Sequence, residues 1–169
     1  MKYCSSCGHP LKMIEHEHEG MVPYCERCKE YRFPVFNTAV SMIVLNPAKD
    51  HILLIKQYGR DHNVLVAGYV NQGESLEETL VRELKEEIGI NVLSYRYNKS
   101  EFFERSNTLM CNFTVVADDV SLGGVSEWEI DEAKWYTFEE AAAQVKPCSL
   151  AQRFLYDFLN AWDQIREKI

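Results

Sequence analysis

The sequence has no apolar run approaching membrane-spanning length, and its first residues, MKYCSSCGHP, lack the apolar centre of a secretory signal. Both absences lead to the expectation of a cytoplasmic protein with no membrane partner. Positive charge is also scarce, since 18 Lys and Arg stand against 26 Asp and Glu for a formal charge of −8. That balance argues against a broad electrostatic footprint for nucleic acid or an anionic bilayer. An anionic ligand would need positive charge recruited to its site, and metal ions are the direct source. Internal repeats and low-complexity tracts are missing as well. What is present is a chain of 169 residues, 46% apolar, enough for one globular domain and a small appendage.

Of the six cysteines, four form two C-x-x-C pairs, Cys4/Cys7 and Cys25/Cys28. In a reducing compartment that pattern favours metal over disulfide, and the spacing is that of a four-cysteine zinc ribbon. Four thiolates close the coordination shell, so the expected Zn²⁺ is structural. His16 and His18, between the pairs, are expected to be exposed hairpin residues and not ligands. Lys2, Lys12, Arg27, Lys29 and Arg32 are offset by Glu15, Glu17, Glu19, Glu26 and Glu30, so this segment carries no basic patch and primary nucleic-acid binding is not expected. Cys111 and Cys148 sit in apolar sequence and are expected to be structural.

Two parts are expected: residues 1–33, short, polar and cysteine-bearing, and residues 34–169, with the pattern of a mixed α/β domain. Val35–Leu45, His51–Gln57, Val64–Ala67, Asn91–Tyr97, Leu109–Ala117 and Glu127–Tyr136 read as strands. Phe138–Val145 reads as a short helix. Ser149–Lys168 reads as a longer one, capped by Ser149 and burying Leu150, Phe154, Leu155, Phe158 and Trp162.

The informative segment is GYVNQGESLEETLVRELKEEIGI, residues 68–90. Leu76, Leu80, Leu84 and Ile88 recur every four residues, which predicts an amphipathic helix. Glu83, Glu86 and Glu87 then project within an arc of about 100° beside the apolar stripe. Carboxylates at these spacings repel one another, and near a helix C-terminus the macrodipole disfavours them further. A divalent cation resolves both problems, since Mg²⁺ and Mn²⁺ take hard oxygen ligands. Gly68 and Gly73 flank a loop ahead of the helix, Glu74 stands where the helix begins, and Gly89 can adopt the left-handed conformation that ends it.

These residues match the Nudix box, G-x5-E-x7-R-E-U-x-E-E-x-G-U with U aliphatic, at Gly68, Glu74, Arg82, Glu83, Leu84, Glu86, Glu87, Gly89 and Ile90. The chain therefore resembles the Nudix hydrolases. The resemblance implies an α+β Nudix fold, a mixed β-sheet core sandwiched by helices, here with a small N-terminal zinc ribbon. It also implies hydrolysis of a nucleoside diphosphate linked to another moiety. By the same resemblance, Glu83, Glu86 and Glu87 bind the catalytic Mg²⁺ or Mn²⁺, helped by the main-chain carbonyl of Ala67. Arg82 would hold the glutamates by ion pairing, Glu74 would orient the junction of loop and helix, and Glu86 or Glu87 would act as general base.

A ribbon followed directly by a Nudix domain is similar to the NADH pyrophosphatase branch of the family. CERCKEYRFP (25–34), AGYVNQGES (67–75) and EAKWYTFEE (132–140) carry the likeness. It implies a substrate contact at Phe33, an acidic metal ligand at Glu129 and a further contact at Ala151. It also places the branch's S-Q-P-W-P-F-P-x-S stretch on residues 100–108. Here that stretch reads SEFFERSNT, without the prolines and the Trp, and is expected to remain a loop lining the substrate. Ser100, Phe102, Phe103 and Arg105 are its candidate contacts, the rings either stacking on a base or packing at a strand end. NADH, NAD or a related dinucleotide is the expected substrate. ADP-ribose, another nucleotide sugar, or a non-catalytic ligand-binding role are the alternatives, and a homodimer is expected.

Overall fold

A computed structural model describes residues 2–123 and 129–169. The chain divides into two compact units, Met1–Phe36 and Asn37–Ile169. No helix among the described residues is long and apolar enough to cross a membrane.

The first unit is a three-stranded antiparallel sheet of β1 (Lys12–His16), β2 (Gly20–Cys25) and β3 (Glu30–Tyr31), in that order. Cys4–Cys7 lies in a turn ahead of β1, and Cys25–Cys28 closes β2 into the turn before β3. Too few apolar residues are available here for a core of ordinary size. Val22 and two of the cysteines are its buried apolar side chains, and Tyr31 packs edge-to-face with both His16 and Tyr24.

The second unit is built on β4 (Asn37–Leu45), β5 (His51–Gln57), β6 (Val66–Tyr69), β7 (Val92–Phe103), β8 (Thr108–Ala117) and β9 (Ile130–Thr137). The sheet order is β7-β8-β4-β5-β9, with β6 pairing β4 beside β5. Strand β4 pairs β8 in parallel along its whole length. Its opposite edge is divided between β6, at residues 39–42, and β5, at Leu45. The sheet is mixed, and helices cover both faces. Helix α1 (Leu76–Ile88) lies on one; α2 (Phe138–Gln144) and α3 (Leu150–Ile165) lie on the other.

Alternation along β4 produces the two cores. Val40, Met42 and Val44 pack with Leu80, Leu84 and Ile88 of α1. Ile43 and Leu45 pack with Phe154, Leu155 and Phe158 of α3. Ser149 caps α3 as its position predicts, accepting a hydrogen bond from the Gln152 backbone. Leu150 and Trp162 are only partly buried against that core.

Three expectations need correction. The strand around Asn91–Tyr97 does not stop there: β7 runs to Phe103, and Glu101, Phe102 and Phe103 pair with Met110, Leu109 and Thr108. The 100–108 stretch is therefore strand followed by the 3₁₀ turn Glu104–Ser106, and not a loop. Proline lacks the N–H that a strand ladder requires, so its absence here is what lets the pairing continue. Cys148 is exposed, with φ 56°, in the tight connection before the α3 cap, so no apolar packing holds it. The short strand before the box is displaced to Val66–Tyr69, which puts Ala67 and Gly68 inside β6. For Glu127–Tyr136, residues 127 and 128 lie outside the described residues, and β9 is seen from Ile130.

Candidate active site

Helix α1 is fixed at both ends. Ser75 and Glu78 form a reciprocal capping box. At the other end Gly89 adopts φ 78°, and its N–H donates to the Lys85 carbonyl at 3.1 Å. A second reason forces glycine at this position: a Cβ on Gly89 would lie 1.5 Å from the carbonyl oxygen of Gly123. At Gly68 the constraint is different. A Cβ there would lie 1.9 Å from Glu83 Cδ, so the missing side chain is the space in which the Glu83 carboxylate rests against β6.

Arg82 organises the acids around it. Its Nε donates to Glu74 Oε1 at 2.7 Å and its Nη2 to Glu74 Oε2 at 2.9 Å, a two-pronged clamp. Nη2 also reaches the Tyr69 carbonyl at 3.1 Å, while Nη1 donates to Glu83 at 2.8 Å and Glu86 at 3.1 Å. Glu74 further accepts from the Asn71 backbone and the Thr79 hydroxyl, tying the loop to the helix. With Arg82 as the chief cause, the Glu74 carboxyl is pulled down to about 2.

The three helix glutamates do not share one environment. Glu86 is exposed and faces Arg82 from outside, whereas Glu83 is largely buried. Glu87 is 3% exposed, and its Oε2 is the one buried side-chain oxygen or nitrogen without a hydrogen-bond partner among the described residues. Burial, then the charges of Glu83 and Glu129, push its carboxyl up to about 8. Burial likewise raises Glu83. Glu129 closes the group from the sheet side, where the Tyr58 hydroxyl donates to its Oε1. Tyr58 has no local sequence signal: nothing in IKQYGRDH carries a recognisable motif.

These residues fit a divalent cation. The donors are hard carboxylate oxygens, one buried oxygen lacks a partner, and a glycine cradle holds another carboxylate in place. Ala67 is adjacent to that cradle on β6, opposite Ser41 of β4. The carboxylates are not drawn into one tight knot. Among the described residues, the group whose ligand atoms all lie within 4.8 Å of one another is Cys4, Cys7, Cys25 and Cys28. Arg82 accounts for this, since it holds Glu86 outward while Glu87 points inward.

In the first unit, the sulfurs of Cys4 and Cys28 are 3.9 Å apart and those of Cys7 and Cys25 are 3.6 Å apart. A tetrahedral Zn²⁺ with bonds of about 2.3 Å spaces its sulfurs by about 3.8 Å, so the cage has the right size, and all four thiols are free. Arg32 donates to Cys4 Sγ at 3.3 Å and lowers that thiol to about 5. His16 is outside the sulfur group and packs against Tyr31.

The remaining candidates are dispersed. Successive residues of β7 face opposite sides, so Phe102 and Phe103 cannot line one surface. Ser100 and Phe102 pair with Cys111 and Leu109, on the α1 side. Glu101 pairs with Met110 on the other side, where it forms an ion pair with Arg153 of α3 and shares its face with Phe103. Arg105 is exposed on the 3₁₀ turn, Ala151 lies in the first turn of α3, and Phe33 is exposed in the first unit. A groove of about 570 Å³ runs along the outer side of α1 between Val81 and Tyr95 and meets the acid group through Arg82 and Glu86. A cavity of about 290 Å³ lies between β7 and α3, and there Asn98 and Asn112 are satisfied by each other, Thr114 and Ser41.

Comparison with known proteins identifies the family. The NUDIX domain model matches residues 35–157, and the chain belongs to the Nudix family. It is similar to the NAD-capped RNA hydrolase NudC of Salmonella paratyphi C (strain RKS4594) and of Salmonella choleraesuis (strain SC-B67). Each is 31% identical over 158 residues, covering 92% of this chain and 59% of the relative. The chain thus spans about three fifths of the length of these curated relatives. In fold it is similar to a NUDIX hydrolase of Nitrosomonas europaea, with TM-score 0.65, 19% identity, and coverage of 99% of this chain and 93% of that one. A MutT structure from work on Aliivibrio salmonicida and Vibrio cholerae gives TM-score 0.57 and 25% identity, covering 71% of this chain and 96% of that one.

Proposed function

We propose that this protein is a metal-dependent Nudix pyrophosphohydrolase that cleaves the phosphoanhydride of a nucleoside diphosphate linked to another moiety. NADH, NAD or a related dinucleotide is the first candidate substrate. The observation that carries this reading is Glu87 of the box, whose buried Oε2 has no hydrogen-bond partner, beside the charges of Glu83 and Glu129. Glu83, Glu86, Glu87 and Glu129, with the Ala67 carbonyl, would hold Mg²⁺ or Mn²⁺. Cations bound there neutralise diphosphate oxygens and acidify a water. The chain's own part is to place the carboxylates, through Arg82 and the Gly68 cradle, and to accept the water's proton on Glu86 or Glu87. Cys4, Cys7, Cys25 and Cys28 would hold a structural Zn²⁺.

The Salmonella relatives are named for NAD-capped RNA, and the shared chemistry is the diphosphate of an NAD moiety. ADP-ribose or another nucleotide sugar is the second reading, favoured by the continuation of β7 through residues that carry prolines and a Trp in the NADH pyrophosphatase branch. The test is turnover of NADH, NAD, FAD, ADP-ribose and dinucleoside polyphosphates, with products identified by mass. Glu86→Gln and Glu87→Gln should each lower the best rate by orders of magnitude. Near-wild-type rates in both would reject the assignment, and no product from any substrate would favour a binding role. A homodimer is part of the proposal, and a monomeric mass by light scattering at micromolar concentration would reject it.

A further inference from the structure

Tyr58 occupies a position that the box does not explain. It follows β5 with φ 55°, in the left-handed region that a bulky residue rarely adopts, and Gly59 follows it at φ 65°. The register between β5 and β9 shifts at Lys56/Gln57, a bulge that re-aims the residues after it. The turn is then clasped on β9. The Tyr58 N–H donates to the Glu129 carbonyl at 3.3 Å, and the Gly59 N–H donates to Asp131 Oδ2 at 2.6 Å. The outcome is that the Tyr58 hydroxyl donates to Glu129 Oε1, while 55% of the residue remains open to solvent. Glycine or asparagine would suit that backbone better, and an exposed ring adds little to the core, so packing does not account for tyrosine here.

We propose that Tyr58 is a positioning residue for the cation site: its phenol fixes one oxygen of Glu129 and so aims the other toward Glu87 and Glu83. This rests on the carboxylates holding a divalent cation. Hydrogen bonds behind a metal-binding carboxylate set its orientation, and their loss typically weakens binding by about 10–100-fold. Phenylalanine at this position keeps the ring and the turn and removes only the hydroxyl.

The experiment is Mn²⁺ titration of the zinc-loaded full chain, followed by calorimetry and by the electron paramagnetic resonance signal of bound Mn²⁺. Wild type, Tyr58→Phe, Glu129→Gln, the double variant and Glu87→Gln are compared. Tyr58→Phe should raise the Mn²⁺ dissociation constant about tenfold. The same change in the Glu129→Gln background should have little further effect, because the phenol acts through that carboxylate. Equal Mn²⁺ affinity in wild type and Tyr58→Phe, with Glu87→Gln impaired, would overturn the role of Tyr58 alone. An undiminished Tyr58→Phe effect in the Glu129→Gln background would overturn it too. Wild-type Mn²⁺ affinity in Glu87→Gln would instead overturn the reading of the site itself.

Discussion

Gly68→Ala adds one methyl group and should separate function from stability. The new Cβ would sit 1.9 Å from Glu83 Cδ, 2.2 Å from Oε1 and 2.3 Å from Cγ, where ordinary contact begins at 3.4 Å. The difference between 3.4 and 1.9 Å requires the Glu83 carboxylate to retreat by about 1.5 Å. The atoms in the way are the far end of a flexible side chain, so the fold can yield without moving backbone. The stability loss should stay below the ~1–3 kcal/mol typical of overpacking. At about 2–4 °C per kcal/mol for a chain of this size, Tm should fall by only a few degrees. Catalysis should suffer far more, because a displacement of about 1 Å costs roughly a hundredfold. Calorimetric Mn²⁺ affinity, kcat/KM on the best substrate and Tm by scanning fluorimetry are the three readouts. Unchanged Mn²⁺ affinity together with unchanged kcat/KM would refute the cradle argument. A collapse in Tm would show that the backbone, and not Glu83, absorbs the clash.

Gly89→Ala should do the reverse, since its Cβ meets the Gly123 carbonyl and must also accept φ 78°; Tm should fall by several degrees, and an unchanged Tm would count against the close approach. Cys4→Ser or Cys25→Ser should lower stability and zinc content together, and elemental analysis finding no zinc in wild type purified without chelator would contradict a structural metal. Phe102→Ala and Phe103→Ala should differ, because the rings lie on opposite faces; whichever ring stacks on a base should raise KM more than it lowers kcat, and unchanged KM in both would make them packing residues. Glu74 is lowered from 4.5 to about 2, so its contribution to stability is complete above the ordinary carboxylate range and is lost as pH falls through that window. The Tm difference between wild type and Glu74→Gln should therefore shrink from pH 5 toward about pH 2, and a constant difference would contradict the Arg82 clamp.

Helix α1 was legible because three local signals coincide on it: the four-residue apolar repeat, the glycine that ends it and the clustered acids. The inward position of Glu87 was legible too, since seven residues after Leu80 it falls within about 20° of the same azimuth, on the apolar face. Glu86 falls about 120° away and emerges in solvent. The box pattern alone treats the two as equals, whereas helix geometry separates them. The extension of β7 through Phe103 also had a sequence signal, the absence of proline, but reading it as strand required the partner β8. Tyr58 had no such signal. Its role depends on a register shift against a strand more than seventy residues later in the chain, and no local pattern encodes that.

The arrangement of charge around Arg82 leaves the buried Oε2 of Glu87 open to a partner from outside the chain. One guanidinium bonds Glu74, Glu83, Glu86 and the Tyr69 carbonyl. Glu87, on the buried side of the same helix, receives none of these hydrogen bonds. Ionising a carboxyl pushed from 4.5 to about 8 costs roughly 5 kcal/mol, a large share of a typical domain's stability. A side chain kept for the fold alone would be replaced there without loss by leucine, which α1 already uses at Leu80 and Leu84. A hard divalent cation bound there would favour the charged form in the folded state and offset that cost. The same reasoning explains the rigid frame around it. Gly68, the Arg82 clamp and the capped helix hold the neighbouring carboxylates still, so little ordering would remain to be done on binding a cation.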